Sequence, residues 1–261
     1  MVSADPTWWG RFPVALGGCL ALSLGPLELW IQRRQREWYL TWRHGDDPVA
    51  TACRLGTGSR PADTTDMQVT RHALGATADS VLIDVALTDR PMVLGLGTRL
   101  FLPPGQEATL YFSTPLSLRL SDGDGIPLTT IASVLPVETW FGASTIDGVL
   151  AYASRTMGRL ALGELLLRRH RAVTAVTLHN RARDAMAVER IHVPMPSLAL
   201  YLAQDDGTLW TNPLTIERDA GGTTGRVVVG KGPPAAKMTL LTQAQVAPQT
   251  GVLHAVSALF T

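Results

Sequence analysis

"GPLELWIQRRQREWYLTWRHG", residues 25–45, sets Trp30, Trp38 and Trp42 around a group of arginines. A nucleic-acid surface, the end of a membrane helix and a β-hairpin with its rings in a core all show such a mixture. Two runs of strand-favouring residues, "LELWIQ" and "EWYLTWR", are joined here by the polar "RRQR". In the second run Trp38, Leu40 and Trp42 alternate with Tyr39, Thr41 and Arg43, the period of a half-buried strand. Trp38 and Trp42 also stand four apart, and Gln35, Arg36 and Glu37 favour helix, so a helical pattern competes locally. The turn residues decide between them. Gly25–Pro26 and Gly45–Asp46–Asp47–Pro48 punctuate both ends at strand-like lengths. The stretch is expected to form a hairpin with Arg33, Arg34 and Arg36 at a solvated tip, where charge discourages edge-to-edge association.

The same pattern continues downstream. "SVLIDVAL" (80–87) alternates, and residues 91–131 divide into strands at Pro103–Pro104–Gly105 and at the "DGDG" turn. "AVTAVTLHNRARDAMAVERIHVPM" (172–195) is two strands around a polar turn opening at Asn180. "SLALYLAQDDGTLWTNPLTIER" (197–218) carries the strongest hairpin signal, with Asp206–Gly207 between two strand-like runs. Only residues 155–171 have much helical character, weakened by Gly158 and Gly163. Short strands at regular intervals indicate an all-β fold of antiparallel sandwich type. Its organisation is either one large sandwich or two smaller ones, divided as residues 1–125 and 126–261.

Nearly half of the 261 residues are apolar and about a sixth are charged, which suits a packed globular chain. A formal net charge of +1 supplies no bulk attraction to nucleic acid, and no aromatic strand platform accompanies the arginines. Lys231 and Lys237 are the only lysines, an arginine bias that a GC-rich genome also produces. Cys19 and Cys53 show no metal-type spacing, and a reduced pair in the cytoplasm is the simpler expectation. "VALGGCLALSLGPLELWI" (14–31) is just long enough to cross a membrane, but Pro26 breaks a helix and Glu28 is costly in hydrocarbon. The segment before it has Asp5 and only Arg11 as a cation, unlike a secretory leader. Two short strands around the Gly-Pro turn are expected instead.

No serine elbow and no phosphate-cradling glycine loop is present, and "GKGPP" around Lys231 lacks the helix such a loop needs. Asp122 and Asp124 are spaced as in some calcium loops, but Ser133 stands where the closing glutamate belongs. His44, His72, His170, His179, His192 and His254 form no close pair suited to zinc. Glu138, beside Trp140, suits a surface or capping role better than glycoside hydrolysis. No catalytic, cofactor or metal residue is therefore assigned.

Two features remain as candidate contacts for a partner. In the loop-like "ETWFGASTIDG" (138–148), Trp140 and Phe141 are either anchors into the core or a hot spot. Arg168, Arg169 and Arg171 head a local arginine excess between Arg155 and Arg190, suited to anionic headgroups or an acidic protein surface, and equally to a solvated ridge.

Several separated segments carry a resemblance: "WWGRFPVALGG" (8–18), "LPPGQEATLYFSTPLSLRL" (102–120), "TWFGASTIDGVLAYASRT" (139–156) and "LWTNPLTIERD" (209–219). Together they resemble the uncharacterised prokaryotic family catalogued as domain of unknown function 432, over nearly the full chain. That resemblance implies no enzymatic reaction. Members of the family are often encoded beside small-conductance mechanosensitive channels. It thus implies an accessory protein, cytoplasmic or peripheral at the inner membrane, that docks on a membrane protein complex. The alternative is a carbohydrate-binding module or a glycan-active hydrolase, with tryptophan stacked on sugar.

Overall fold

The computed structural model describes residues 7–142, 148–221, 225–247 and 252–253, in which strands dominate. The chain forms two compact units, each assembled from separate segments. The first takes Met1–Ala86, Leu116–Leu135 and Arg168–His170, and the second Leu87–Pro115, Pro136–Leu167 and Arg171–Thr261. In chain order the first unit begins with β1 (Gly10–Pro13), β2 (Cys19–Leu24), β3 (Leu27–Arg34), β4 (Glu37–His44), β5 (Cys53–Thr57), β6 (Gln68–Ala73) and β7 (Ser80–Ala86). Next come β8 (Met92–Leu102) and β9 (Glu107–Pro115) of the second unit, then β10 (Ser117–Asp122) and β11 (Pro127–Ala132) of the first. The turn near residue 125, where the sequence suggests a boundary, lies between the paired strands β10 and β11, inside the first unit.

In the first unit β5, β2, β3, β4 and β6 make one antiparallel sheet, and β1, β7, β10 and β11 another. The hairpin expected over residues 25–45 is β3–β4, in register from Leu27 against His44 to Arg34 against Glu37. Leu27, Leu29 and Ile31 of β3 and Trp38 and Leu40 of β4 have no exposed surface, while Glu28, Trp30, Gln32, Tyr39 and Trp42 are half-buried. Thr41 breaks the alternation, being fully buried beside Leu40. Val81, Ile83 and Val85 of β7, Leu118 and Leu120 of β10 and Leu128 and Ile131 of β11 are buried apolar residues of the other sheet. Hydrogen bonds join the two sheets at both ends, from Trp38 Nε1 to Asp122 Oδ2 and from His44 Nε2 to the Ala132 carbonyl.

The hairpin tip is less solvated than its composition suggests. Arg33 donates to Thr77 Oγ1, to the Thr77 carbonyl and to the Val14 carbonyl, at 3.0–3.1 Å, and Arg34 pairs with Glu37 at 2.8 Å. Residues 14–31 contain β2 and β3 separated by the turn at Gly25, whose φ of +57° suits glycine. Among the described residues no helix is long and apolar enough to cross a membrane. Cys19 and Cys53 form no bridge. Cys53 pairs with Leu24, at the other end of β2 from Cys19, roughly 17 Å away at strand spacing.

The second unit continues with β12 (Val137–Phe141), β13 (Val149–Met157), β14 (Arg171–Asn180), β15 (Met186–Val193), β16 (Leu200–Ala203), β17 (Leu209–Thr211), β18 (Leu214–Arg218), β19 (Gly225–Val229), β20 (Met238–Thr242) and β21 (Val252–Leu253). Its larger sheet is centred on β14, whose first six residues are all buried, as expected of a strand covered on both faces. β14 runs antiparallel to β9 and parallel to β17 and β18. The Asp206–Gly207 hairpin forms β16–β17, with Gly207 at φ +71° and Asp206 Oδ1 accepting from Thr208 N at 2.8 Å. The smaller sheet has the order β12–β13–β8–β15, and β13 runs parallel to β8. Parallel pairings are a departure from a wholly antiparallel expectation. They join strands distant in sequence, which local alternation does not register.

The segment with helical character does not become an α-helix: β13 extends to Met157, and only Leu162–Glu164 makes a 3₁₀ turn. Gly158 and Gly163 disfavour helix here, and Gly158 packs so closely that a Cβ there would stand 2.5 Å from the Phe112 ring.

Candidate functional site

Residues 138–141, the start of the segment that is loop-like in sequence, belong to the strand β12 at the margin of the smaller sheet, where its neighbour is β13. The alternation of a strand sends Trp140 and Phe141 to opposite faces. Phe141 is 5 % exposed and stacks on the His192 ring at 5.0 Å between centroids, so it is an interior residue of its unit. Trp140 is 42 % exposed, and its direct cross-strand partner Leu150 is exposed as well. Val137 and Val149, at the two ends of the pairing, are also exposed. Residues 143–147 of the same segment lie outside the described residues.

Beside this apolar pair stands a polar group. Glu138 is opposite Tyr152 in the register and accepts from Arg90 at 2.5 Å. The Arg90 guanidinium lies 5.5 Å from the centre of the Tyr152 ring, and the Tyr152 hydroxyl donates to Asp89 at 3.1 Å. The hydrogen bond to Glu138 holds the Arg90 guanidinium more firmly protonated than usual. Burial, helped by Asp89, raises the Tyr152 phenol. Glu138 is thus an ion-pair partner on the surface. Exposed Trp and Leu with a polar border reproduce the anatomy of a protein contact site, an apolar centre inside a charged rim. Trp140 was legible in the sequence as a large ring outside an alternating run. Leu150, Tyr152 and Arg90 were not, because only the pairing of β12 with β13 brings them to it.

The three arginines stand in different surroundings. Arg168 and Arg169 are half-buried residues of the first unit. Arg168 Nε donates to the Val49 carbonyl at 2.9 Å, and the Arg169 carbonyl accepts from Trp8 Nε1 at 3.1 Å. His170 follows, 1 % exposed, its ring 3.2 Å from the Pro48 carbonyl and packed so closely on Gly25 that a Cβ there would meet it. Arg171 belongs to the second unit and is 4 % exposed. Its guanidinium donates to Ser113 Oγ at 2.8 Å, to the Ser113 carbonyl at 2.5 Å and to Thr156 Oγ1 at 3.0 Å. A guanidinium so enclosed holds strands together and offers no surface to a partner. Of the candidate contacts, Trp140 alone is exposed.

Elsewhere, potential metal ligands are dispersed. Among the described residues no three His, Cys, Asp or Glu side chains come together to hold an ion, and His254 lies outside those residues. His192 is 7 % exposed, and neither ring nitrogen has a hydrogen-bond partner among the described residues. Burial pushes its pKa down to about 4, so the ring is neutral near pH 7.

Comparison with curated proteins and with solved structures found no match to this chain. A family model does match, covering residues 8–259 and therefore both units. The chain belongs to the family described as Protein of unknown function (DUF432).

Proposed function

We propose that this protein is a non-catalytic accessory module that docks, through the β12–β13 hairpin, on the soluble face of a membrane protein complex. The carrying observation is the exposed Trp140–Leu150 pair on an edge hairpin, bordered by the Arg90–Glu138–Tyr152 group. A strand edge with exposed apolar side chains is a surface that a folded chain protects unless something covers it. The family context favours a small-conductance mechanosensitive channel as the partner. The test is co-purification with such a channel from detergent-solubilised membranes, using the native chain and Trp140→Ala. Retention of the channel by the native chain and its loss with Trp140→Ala, at unchanged thermal stability, supports the proposal. No retention by either chain, or equal retention by both, removes it.

One arrangement favours carbohydrate as the second reading: an exposed indole beside carboxylate, guanidinium and phenol groups also suits a sugar face and its hydroxyls. Quenching of Trp140 fluorescence by oligosaccharides, absent in Trp140→Phe, would move the assignment there.

A further inference from the structure

The strand β8 loses register with both of its neighbours at the same place. Against β13, the pairing jumps from Ala153–Val93 to Met157–Gly95, and against β15 from Arg190–Gly95 to Val188–Leu100. Residues 96–99 and 154–156 therefore leave the ladder together, and Gly97 makes this feasible with φ +78°, in a position where a side chain would collide with Met157. Bulges on a central strand re-aim side chains, and they are constructed features of a sheet rather than defects. Here they open a cleft of about 480 Å³, lined by Arg99, Arg155 and Arg190 with the hydroxyl residues Thr98 and Ser154.

Three guanidinium groups face one carboxylate in this cleft, Glu189, a surplus of two positive charges. Glu189 pairs with Arg99. Arg155 and Arg190 have no ion-pair partner among the described residues, and all three arginines are exposed. The floor is supported from within the unit: Thr156, which lines the cleft, donates to the Ser113 carbonyl and accepts from buried Arg171. A hydrogen-bonded floor with exposed guanidinium groups is suited to bidentate recognition of a planar or tetrahedral oxyanion. A surplus of two charges matches a dianion better than a single carboxylate, and the volume exceeds that of bare phosphate and admits a small organic group.

We infer that the cleft between β13, β8 and β15 binds a phosphoryl group carrying two negative charges, with Arg155 and Arg190 as its principal ligands. The group belongs either to a free phosphate monoester or to a lipid headgroup. The test titrates the full chain at low ionic strength with inorganic phosphate, followed by calorimetry, and with phosphatidylcholine vesicles with and without phosphatidic acid, followed by co-sedimentation. Saturable binding that weakens about tenfold in Arg155→Gln/Arg190→Gln is expected, with attenuation by salt. Glu189→Gln is expected to tighten binding about threefold, because it releases Arg99 from a competing carboxylate. That variant also carries the test if the double variant fails to fold. Binding of phosphate identifies the free ligand as sufficient, and binding only of phosphatidic acid vesicles identifies the headgroup. No binding in either arm, binding unaltered in the double variant, or weakening by Glu189→Gln overturns the inference.

Discussion

Trp38, on β4 of the hairpin at residues 25–45, donates its indole N–H to the carboxylate of Asp122 at 2.5 Å, with both side chains fully buried. Asp122 also accepts from Ala78 N at 3.0 Å and from Asp124 N at 2.9 Å. Burial opposes its charge, but the donors of Asp124, Trp38 and Ala78, with Arg33 nearby, outweigh it and hold the carboxyl below its usual range. The aspartate that calcium-loop spacing brings to attention is thus committed to the core of the first unit.

Asp122→Ala leaves three donors without an acceptor. A loss of about 3 kcal/mol is expected, read as a fall in the urea midpoint at constant slope. Asp122→Asn keeps the shape and loses the charge, and it should fall between the two. Because the folded carboxyl titrates lower than the unfolded one, its contribution is present above the unfolded pKa and disappears as pH drops through the folded value. A variant as stable as the native chain at pH 7 would contradict this account.

Gly148 lies against Trp140, and a Cβ there would stand 1.9 Å from the indole nitrogen. Gly148→Val should displace the ring, shift its emission and weaken partner retention about as much as Trp140→Ala does. Stability should change by less than about 1 kcal/mol, since the ring is at the surface. Normal retention with a displaced indole would mean that Trp140 is not the anchor.

His192 gives the second unit a dependence on acid. Its folded pKa of about 4 lies below the ordinary value of 6.5, so the unfolded chain binds the extra proton between those limits. The stability associated with the neutral ring is complete above pH 6.5 and is lost as pH falls toward 4, amounting to roughly 3 kcal/mol. His192→Leu should flatten the fall in Tm between pH 7 and pH 4.5 relative to the native chain. Parallel pH profiles would show that the imidazole is not excluded from water as described.

Arg171 serves its own unit. Arg171→Ala removes donors from Ser113 and Thr156, and a loss of about 2–4 kcal/mol is expected from breaking a buried, charge-assisted network. Arg168→Ala removes the bond to the Val49 carbonyl from a half-buried side chain and should cost about 1 kcal/mol. Equal effects of the two substitutions would contradict the buried network assigned to Arg171.

Sequence alone determined the all-β class, the hairpins at residues 25–45 and 200–211, and the assignment of residues 14–31 to strands. Those properties rest on alternation and turn chemistry, which act over a few residues and are written in local order. The family was legible too, through motifs spread along the chain. Tertiary structure decided the rest. The pairing of β12 with β13 set Trp140 outward beside Leu150 and turned Phe141 onto His192. The segmentation of the units sent Arg168 and Arg171 to different ones. The double loss of register on β8 gathered Arg99, Arg155 and Arg190 at one cleft. Each depends on which distant strands share a ladder and in what register. A shift of one residue would turn every side chain to the other face, and neighbouring residues carry no record of that choice.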